Sequence, residues 1–143
     1  MKTGFIQLSK DEIALLLKAP AIISFLAAIG TGEINQWRKV GAIKIAHLKT
    51  FTSCRLLTSY YKEVERVFER NYEMITQKYI PFDELSRTGV QIETDSVSNI
   101  IEKLDPEFAD ELRTSLVEYT EHVKRMYRNL IVNFYNSNPT SGL

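Results

Sequence analysis

The sequence predicts an all-α fold, a single-domain helical bundle of about five to six helices, two of them long. The main observation is an apolar run in the last third of the chain, at steps of four, four, three, four, three, four and four. The run comprises Phe108, Leu112, Leu116, Tyr119, Val123, Met126, Leu130 and Phe134. These steps follow the 3.6-residue helical period and match no strand period. A stripe of this length needs partner helices to cover it, which indicates a bundle.

Length and composition are those of one domain with a real core. The chain has 143 residues, 44% of them hydrophobic, and a domain near this length buries roughly two-thirds of its unfolded surface. Lys plus Arg and Asp plus Glu number 18 each, so the basic excess typical of nucleic-acid binding is absent. Zero net charge removes one protection against self-association and favours a homodimer. The single cysteine excludes an internal disulfide framework and suits a reducing compartment.

No second domain, membrane span or targeting segment is predicted. We expect residues 1–135 to form the domain and residues 136–143, rich in Ser, Asn, Pro and Gly, to be a disordered tail. The most apolar segment, residues 19–29, is shorter than the roughly 20 residues that a bilayer span needs. The N-terminus lacks the basic region of a signal peptide. These features predict a soluble cytoplasmic protein.

Two short motifs bound the first helical segments. Ser9 and Glu12 have the spacing of a capping box, in which each side chain accepts from the backbone N–H of the other residue. Pro20 then either kinks the helix or restarts it with Pro20 at the first helical position. Residues 30–32, Gly-Thr-Gly, end this second segment because glycine tolerates positive φ.

The third and fourth helices are predicted from their apolar positions. The third begins at Glu33 or Asn35 and runs to Thr50. Its apolar set is Trp37, Val40, Ile43, Ile45 and Leu48. Residue 52 or 53 caps a long fourth helix that ends at Tyr79.

The fourth helix carries two adjacent charge rows. The basic row is Lys62, Arg66 and Arg70, and the acidic row is Glu65, Glu69 and Glu73. Because each base has an acid three residues on, the rows neutralise one another and predict a solvated face tied by i, i+3 pairs, not a nucleic-acid surface.

The last two helices follow a predicted loop. Residues 81–93 contain Pro81, Gly89 and few periodic apolar positions, which indicates a loop with at most one helical turn. Thr94 caps the fifth helix, and Asp105-Pro106 is a start signal for the sixth, with proline at the first helical position.

Two stretches together resemble a known family. Residues 23–34, Ile-Ser-Phe-Leu-Ala-Ala-Ile-Gly-Thr-Gly-Glu-Ile, precede a helix with Trp37-Arg38-Lys39, and residues 100–107 read Ile-Ile-Glu-Lys-Leu-Asp-Pro-Glu. They resemble an alanine-rich helix, an Asp-Gly-Glu-Ile turn, a charged helix and a later interhelical turn of the tellurite-resistance protein B (TerB-like) domain, over about half of this chain. The resemblance implies a cytoplasmic helical bundle, a stress-related role and, in some members, an acidic metal site. Here Thr31 takes the turn's aspartate position, which leaves Glu33 alone of the acidic pair.

The candidate metal ligands are Glu33, His47, Glu118 and His122. Glu118 and His122 share a helix face at i, i+4, but zinc needs two further ligands and di-iron bundles use Glu-x-x-His on each of two helices. His47 follows Lys44 at that spacing instead of a glutamate. The sequence therefore predicts a salt-linked surface pair, with no metal and no cofactor.

No catalytic set is predicted, and we expect the protein not to be an enzyme. Cys54 lies near the start of the fourth helix, but His47, the nearest base in sequence, is two helical turns back on another helix. A free cysteine is more typical of a small buried hydrophobe. Glycine-rich phosphate loops, nucleophile elbows, Cys-x-x-Cys pairs and His-Glu-x-x-His runs do not occur in the sequence.

The surplus of aromatic residues favours protein–protein interaction. The candidate interaction residues are Trp37, Tyr60, Tyr61, Tyr127 and Tyr135, which give more apolar width than one packing seam requires. The first hypothesis is a non-enzymatic interaction or adaptor protein that binds a protein partner or itself as a homodimer. The alternative is a small-ligand or metal-binding domain with a pocket near residues 30–47, where Asn35 and His47 converge.

Overall fold

The computed structural model describes residues 8–31 and 35–137, with side chains described over 8–30 and 35–128. Within these ranges the protein is a single all-α bundle without strands, as predicted. Its helices are α1 (Lys10–Thr31), α2 (Gln36–Thr52), α3 (Thr58–Tyr79), α4 (Glu84–Ile101) and α5 (Pro106–Ser137), with a 3₁₀ turn at Arg55–Leu57. The predicted tail begins inside α5, and residues 138–143 lie outside the described residues.

The starts of α1 and α5 follow their sequence signals. Ser9 N–H donates to Glu12 Oε1 at 2.9 Å, and Glu12 N–H donates to Ser9 Oγ at 3.1 Å, which confirms the capping box. Pro106 is the first residue of α5, and the Ala109 N–H donates to the Asp105 carbonyl at 2.8 Å. The Asp-Pro start signal is therefore confirmed.

α1 continues through Pro20, so the predicted restart does not occur. Proline has no N–H, and the carbonyl of Leu16, four residues earlier, therefore loses its helical donor. The Tyr60 hydroxyl on α3 donates to that carbonyl at 2.8 Å. Leu16 and Tyr60 are both 0% exposed. A side chain from a neighbouring helix thus replaces the hydrogen bond that proline removes.

α1 lies at the centre of the bundle and contacts all four other helices. Because α1 is unbroken at Pro20, the short apolar segment of residues 19–29 belongs to a longer one, Lys10–Gly30, which is long and apolar enough to cross a membrane by length and composition. More than half of its most apolar window is buried inside the bundle. The core helix of a soluble protein and a signal sequence meet the same test, so the expected lack of a membrane span stays a prediction.

The predicted start of the fourth helix is wrong. Thr52 is the last residue of α2 and Ser53 is its C-cap, so neither caps α3. The Arg55–Leu57 turn intervenes, and α3 begins at Thr58.

The predicted loop at residues 81–93 is also wrong, because α4 begins at Glu84 and not at Thr94. Asp83 is the true N-cap, and its carboxylate accepts from the Ser86 N–H at 2.9 Å. Gly89 lies inside the helix against Tyr79, where an added Cβ would be 2.9 Å from the tyrosine ring. Val90 is the only buried residue in the first half of α4, so this half shows no apolar period.

The apolar stripe of α5 is confirmed at four of its positions and displaced at others. The confirmed buried positions are Phe108, Leu112, Tyr119 and Val123. Leu116 and Met126 are half-buried, while Ser115 and Tyr127 are buried beside them. The last two predicted positions fall outside the described side chains.

A partly buried ionic cluster joins three helices through Glu93 of α4. Lys18 Nζ on α1 lies 2.7 Å from Glu93 Oε1, and Lys78 Nζ on α3 lies 3.6 Å from Oε2. The Tyr79 hydroxyl donates to Oε2 as well. Burial raises the pKa of Glu93, but the hydrogen bonds and charges of these partners outweigh it and hold the pKa below its ordinary value of 4.5.

We expect Glu93→Gln to lower the free energy of unfolding by about 1–3 kcal/mol at neutral pH. Because the folded pKa lies below the unfolded one, this stability is present above pH 4.5 and is lost as the pH falls through the folded pKa. Urea titrations of both proteins should therefore give converging unfolding free energies as the pH falls below 4.5 and through the folded pKa of Glu93. The exposed Glu121→Gln serves as the control and should match the parent throughout. If the difference in unfolding free energy between Glu93→Gln and the parent did not shrink at the lowest pH, the ionic role of Glu93 would be contradicted.

Candidate functional site

Three of the predicted interaction residues belong to the core. Tyr60, Tyr61 and Tyr127 are each 0% exposed, so their assignment to an interaction surface is wrong. The hydroxyls of Tyr61 and Ser115 are 2.6 Å apart. The Tyr127 hydroxyl lies 3.4 Å from two backbone carbonyls, those of Ser24 and Arg38. These partners let the rings be buried at low cost, because each polar tip finds a hydrogen bond inside the bundle.

The other two interaction candidates are Trp37 and Tyr135. Trp37 is 72% exposed, as an interaction residue requires. Tyr135 lies outside the described side chains.

The candidate metal ligands do not assemble among the described residues. Glu33 lies outside them. His47 Nδ1 contacts Glu65 Oε2, and the Thr50 hydroxyl donates to Glu65 Oε1 at 2.9 Å. The His47 hydrogen bond, opposed by burial, holds the pKa of Glu65 below its ordinary value. No group of three His, Cys, Asp or Glu side chains that could hold a metal occurs in the described part of the chain.

Glu118 and His122 are not linked to one another, contrary to the predicted pair. Glu118 Oε1 lies 4.0 Å from Lys49 Nζ, with its side chain 68% exposed. Burial lowers the pKa of His122, and the nearby charges of Lys49 and Arg125 lower it further. The same two cations would repel a metal ion at this position.

Cys54 and His47 are held by different partners. Cys54 is exposed, unlike a typical free cysteine, and its thiol lies 3.6 Å from Glu111 Oε2. His47 bonds to Glu65 and packs edge-on against Phe51 at 5.2 Å between ring centroids. The structure therefore does not bring a histidine base to the thiol.

The two polar residues assigned to the predicted ligand pocket near residues 30–47 lie far apart in the structure. Asn35 is the N-cap of α2, and its side chain accepts from the Arg38 N–H at 2.9 Å. His47 lies twelve residues further along the same helix, or about 18 Å at 1.5 Å per residue. Their side chains therefore do not converge.

The most distinctive surface is the outer face of α2. Five side chains follow one line along this helix at steps of three, four, four and three. These are Trp37, Val40, Lys44, Leu48 and Phe51, called the α2 outer stripe from here on. They span about 80° of the helical wheel and about 21 Å along the axis. Trp37 and Phe51 are each 72% exposed, and Lys44 is exposed at the centre.

The stripe is exposed because α2 packs through its opposite face. Ala42, Ile45 and Ala46 are buried there, and the small alanine side chains allow the helix to lie close to α3 and α5. Trp37, Val40 and Leu48 from the predicted apolar set are therefore exposed, and the apolar period did not identify the packing face because small residues carry little weight in it. From that predicted set, only Ile45 is fully buried.

Two cations on the inner face of α2 pack against core tyrosines. Arg38 Cζ lies 5.6 Å from the centroid of the Tyr127 ring, and Lys49 Nζ lies 5.8 Å from that of Tyr61. Both cationic residues are buried. The contacts fix the rotation of α2 about its axis, and hence the direction in which the stripe points.

The acidic row of α3 binds α2 instead of its own helix. Lys39 Nζ lies 3.4 Å from Glu69 Oε2 and also contacts Glu73, while Glu65 bonds to His47. In the described part of the chain, the predicted i, i+3 pairs within this row are replaced by these contacts. The row thus holds the edge of α2, and the predicted i, i+3 ties are wrong. The predicted exposure to solvent is confirmed for Lys62, Arg66, Arg70, Glu69 and Glu73.

Other exposed apolar side chains are dispersed. Ten large hydrophobic side chains are exposed in the described residues, and four of them lie in the stripe. The other six are Leu56, Met74, Ile80, Leu85, Ile92 and Val117. Scattered single residues are normal on soluble proteins, whereas four exposed apolar side chains on one helix face, two of them aromatic, are typical of an interaction surface.

No protein-family model matches this chain, and no curated protein or solved structure is significantly similar to it. The TerB-like resemblance therefore stays a prediction. Function is inferred below from the surface chemistry of the bundle.

Proposed function

We propose that this protein is a non-enzymatic helical interaction protein that binds a protein partner through the α2 outer stripe. The observation that carries the proposal is the exposure of Trp37 and Phe51, each 72%, on one line of one helix. Exposed tryptophan is costly to leave in water, and aromatic residues supply much of the energy of protein interfaces.

The geometry of α2 supports this role. The helix is attached by its small-residue face, its cation–π contacts and its ion pairs to α3, so the stripe is presented on a fixed element. A fixed helix binds with less ordering cost than a loop because its side chains are already placed. A stripe of about 21 Å matches the length of a partner helix of about four turns.

The alternative, a small-ligand or metal-binding domain, has less support. Asn35 is engaged as a helix cap and His47 by Glu65, and their positions on α2 keep them apart. Neither residue has the freedom to line a pocket with the other.

Photo-crosslinking tests the proposal. A benzophenone amino acid at Leu48, in the stripe, is compared with the same group at Val117, an exposed site on α5. We expect the stripe position to crosslink a partner that the control does not. The captured protein is then purified and its affinity measured against the parent and variants.

We expect Trp37→Ala and Phe51→Ala to weaken that affinity by roughly 30-fold each, the effect of about 2 kcal/mol at an interfacial aromatic. Val117→Ala is the matched control and should bind as the parent does. All three variants should keep their unfolding free energy within about 0.5 kcal/mol, since the side chains are exposed. Equal affinity of the parent and both stripe variants would refute the proposal.

Three further expectations belong to this proposal without a test so far. They are self-association, a cytoplasmic location and a stress-related role implied by the TerB-like resemblance. Light scattering coupled to size exclusion tests the first directly.

A further inference from the structure

The α2 outer stripe is symmetric about Lys44. Val40 and Leu48 lie four residues to either side of it, and Trp37 and Phe51 lie seven residues to either side. Any partner that covers both aromatic ends therefore also covers the ammonium group in the middle. Covering a charge without an opposite charge costs free energy, so the occupant must bring a carboxylate to this point.

Lys44 differs in its contacts from the other charged residues of α2. This helix contains four Lys and Arg residues and no Asp or Glu. Lys39 is paired with glutamates of α3, Lys49 lies near Glu118, and Arg38 packs on Tyr127. Among the described residues Lys44 has no salt-bridge partner, so its charge is available to a partner.

We propose that the partner segment is an amphipathic helix whose apolar side chains flank a central Asp or Glu that pairs with Lys44. This inference rests on the proposed function and names the chemistry of the partner. The carboxylate offsets the desolvation of the ammonium group, while apolar residues on either side pack on Trp37 and Phe51. The central pair also sets the register of the partner along α2.

The charge of Lys44 also opposes a symmetric pairing of two α2 helices. Antiparallel stripes related by a two-fold axis would place the two Lys44 side chains opposite one another, and like charges in a covered interface are unfavourable. A head-to-tail contact with a different face of another copy escapes this repulsion, but such contacts build rings or filaments. The segment 129–143 of this chain contains no Asp or Glu and so lacks the required carboxylate.

An anionic membrane fits the stripe less well than an acidic helix. Membrane-surface helices keep their cations on the polar side of an apolar face, whereas Lys44 interrupts the apolar line. Glu69, Glu73 and Glu118, whose side chains are 49–68% exposed, lie beside Lys39 and Lys49 of α2. These carboxylates would be repelled by anionic headgroups.

A displayed peptide library tests the inference. Its members are helices of about 18 residues, long enough to cover the α2 outer stripe. Each carries fixed apolar residues on either side of one central position, which is Glu, Lys or Ser. The library is selected on the full chain, on Lys44→Glu and on Trp37→Ala. We expect the parent to enrich Glu at the central position and Lys44→Glu to enrich Lys there. A selected Glu-centred peptide should bind Lys44→Glu about ten-fold more weakly than the parent, and its Lys-centred twin should show the reverse.

Each other outcome has a defined meaning. If peptide enrichment depends on Trp37 but shows no preference for a charge at the central position, the stripe is still a docking surface and the inference of an acidic partner is wrong. The lack of any Trp37-dependent enrichment overturns a helical occupant, while the crosslinking comparison judges the proposed function independently. Concentration-dependent oligomers that Lys44→Glu abolishes, or binding to phosphatidylserine vesicles that it abolishes, would replace the partner helix by a second copy or by a membrane.

Discussion

Leu112→Ala is expected to lower the free energy of unfolding by about 2–5 kcal/mol, the cost of lost burial plus a cavity. Leu112 is 0% exposed in the middle of the confirmed part of the α5 stripe. The bundle has few ways to refill the space, because α1 and the 3₁₀ turn pack on this helix from neighbouring positions. For a domain of this length the melting temperature should fall by roughly 5–20 °C, which calorimetry measures.

Two alanine variants on the same helix calibrate this result. Leu116, at the centre of the predicted stripe, is half-buried, so Leu116→Ala should cost clearly less than Leu112→Ala. Val117 is 65% exposed, and Val117→Ala should stay within about 0.5 kcal/mol. Equal losses at Leu112 and Val117 would show that the face of α5 assigned to the core is wrong.

The second large effect concerns the bond that replaces the missing N–H of Pro20. Tyr60→Phe should destabilise the protein by about 1–3 kcal/mol, because the buried Leu16 carbonyl then loses the tyrosine donor. In a Pro20→Ala background the residue-20 N–H can bond to the same carbonyl, and Tyr60→Phe should cost at most about 0.5 kcal/mol. Chemical denaturation of the four proteins measures this coupling.

Tyr72→Phe is the matched control for this comparison of single and double variants. The Tyr72 hydroxyl is buried and makes no hydrogen bond of good geometry within the described residues. Its removal should therefore cost less than the removal of the Tyr60 hydroxyl. Purely additive effects of Tyr60→Phe and Pro20→Ala would show that the hydroxyl does not substitute for the proline's missing donor.

Local signals predicted the parts of the fold whose partners are close in sequence. The Ser9–Glu12 capping box and the Asp105-Pro106 start each involve contacts over three or four residues, and both are confirmed. The all-α class follows from the long stripe of α5, whose period is carried by one segment. Such features need no knowledge of the neighbouring helices.

The parts that were missed depend on distant residues. Lys18 and Glu93 are separated by 75 residues, and Tyr127 and Ser24 by 103, so no sequence window contains both partners. For α2 the error has another cause, since both sides of the helix are apolar and the side with small residues is the one that packs. The aromatic surplus predicted Trp37 as an interaction residue, but it did not predict Lys44 or Phe51, and the stripe that joins them became visible only in the bundle.

The two sides of α2 use different residues for attachment and for recognition, and this has an evolutionary consequence. Attachment to the bundle uses Ala42, Ile45 and Ala46, whereas recognition in our proposal uses Trp37, Lys44 and Phe51. Natural selection can therefore act on the two sets separately, because exposed substitutions leave folding nearly unchanged. Descendants of this protein could exchange one partner for another through a few changes on a single helix, without first acquiring compensating mutations in the core.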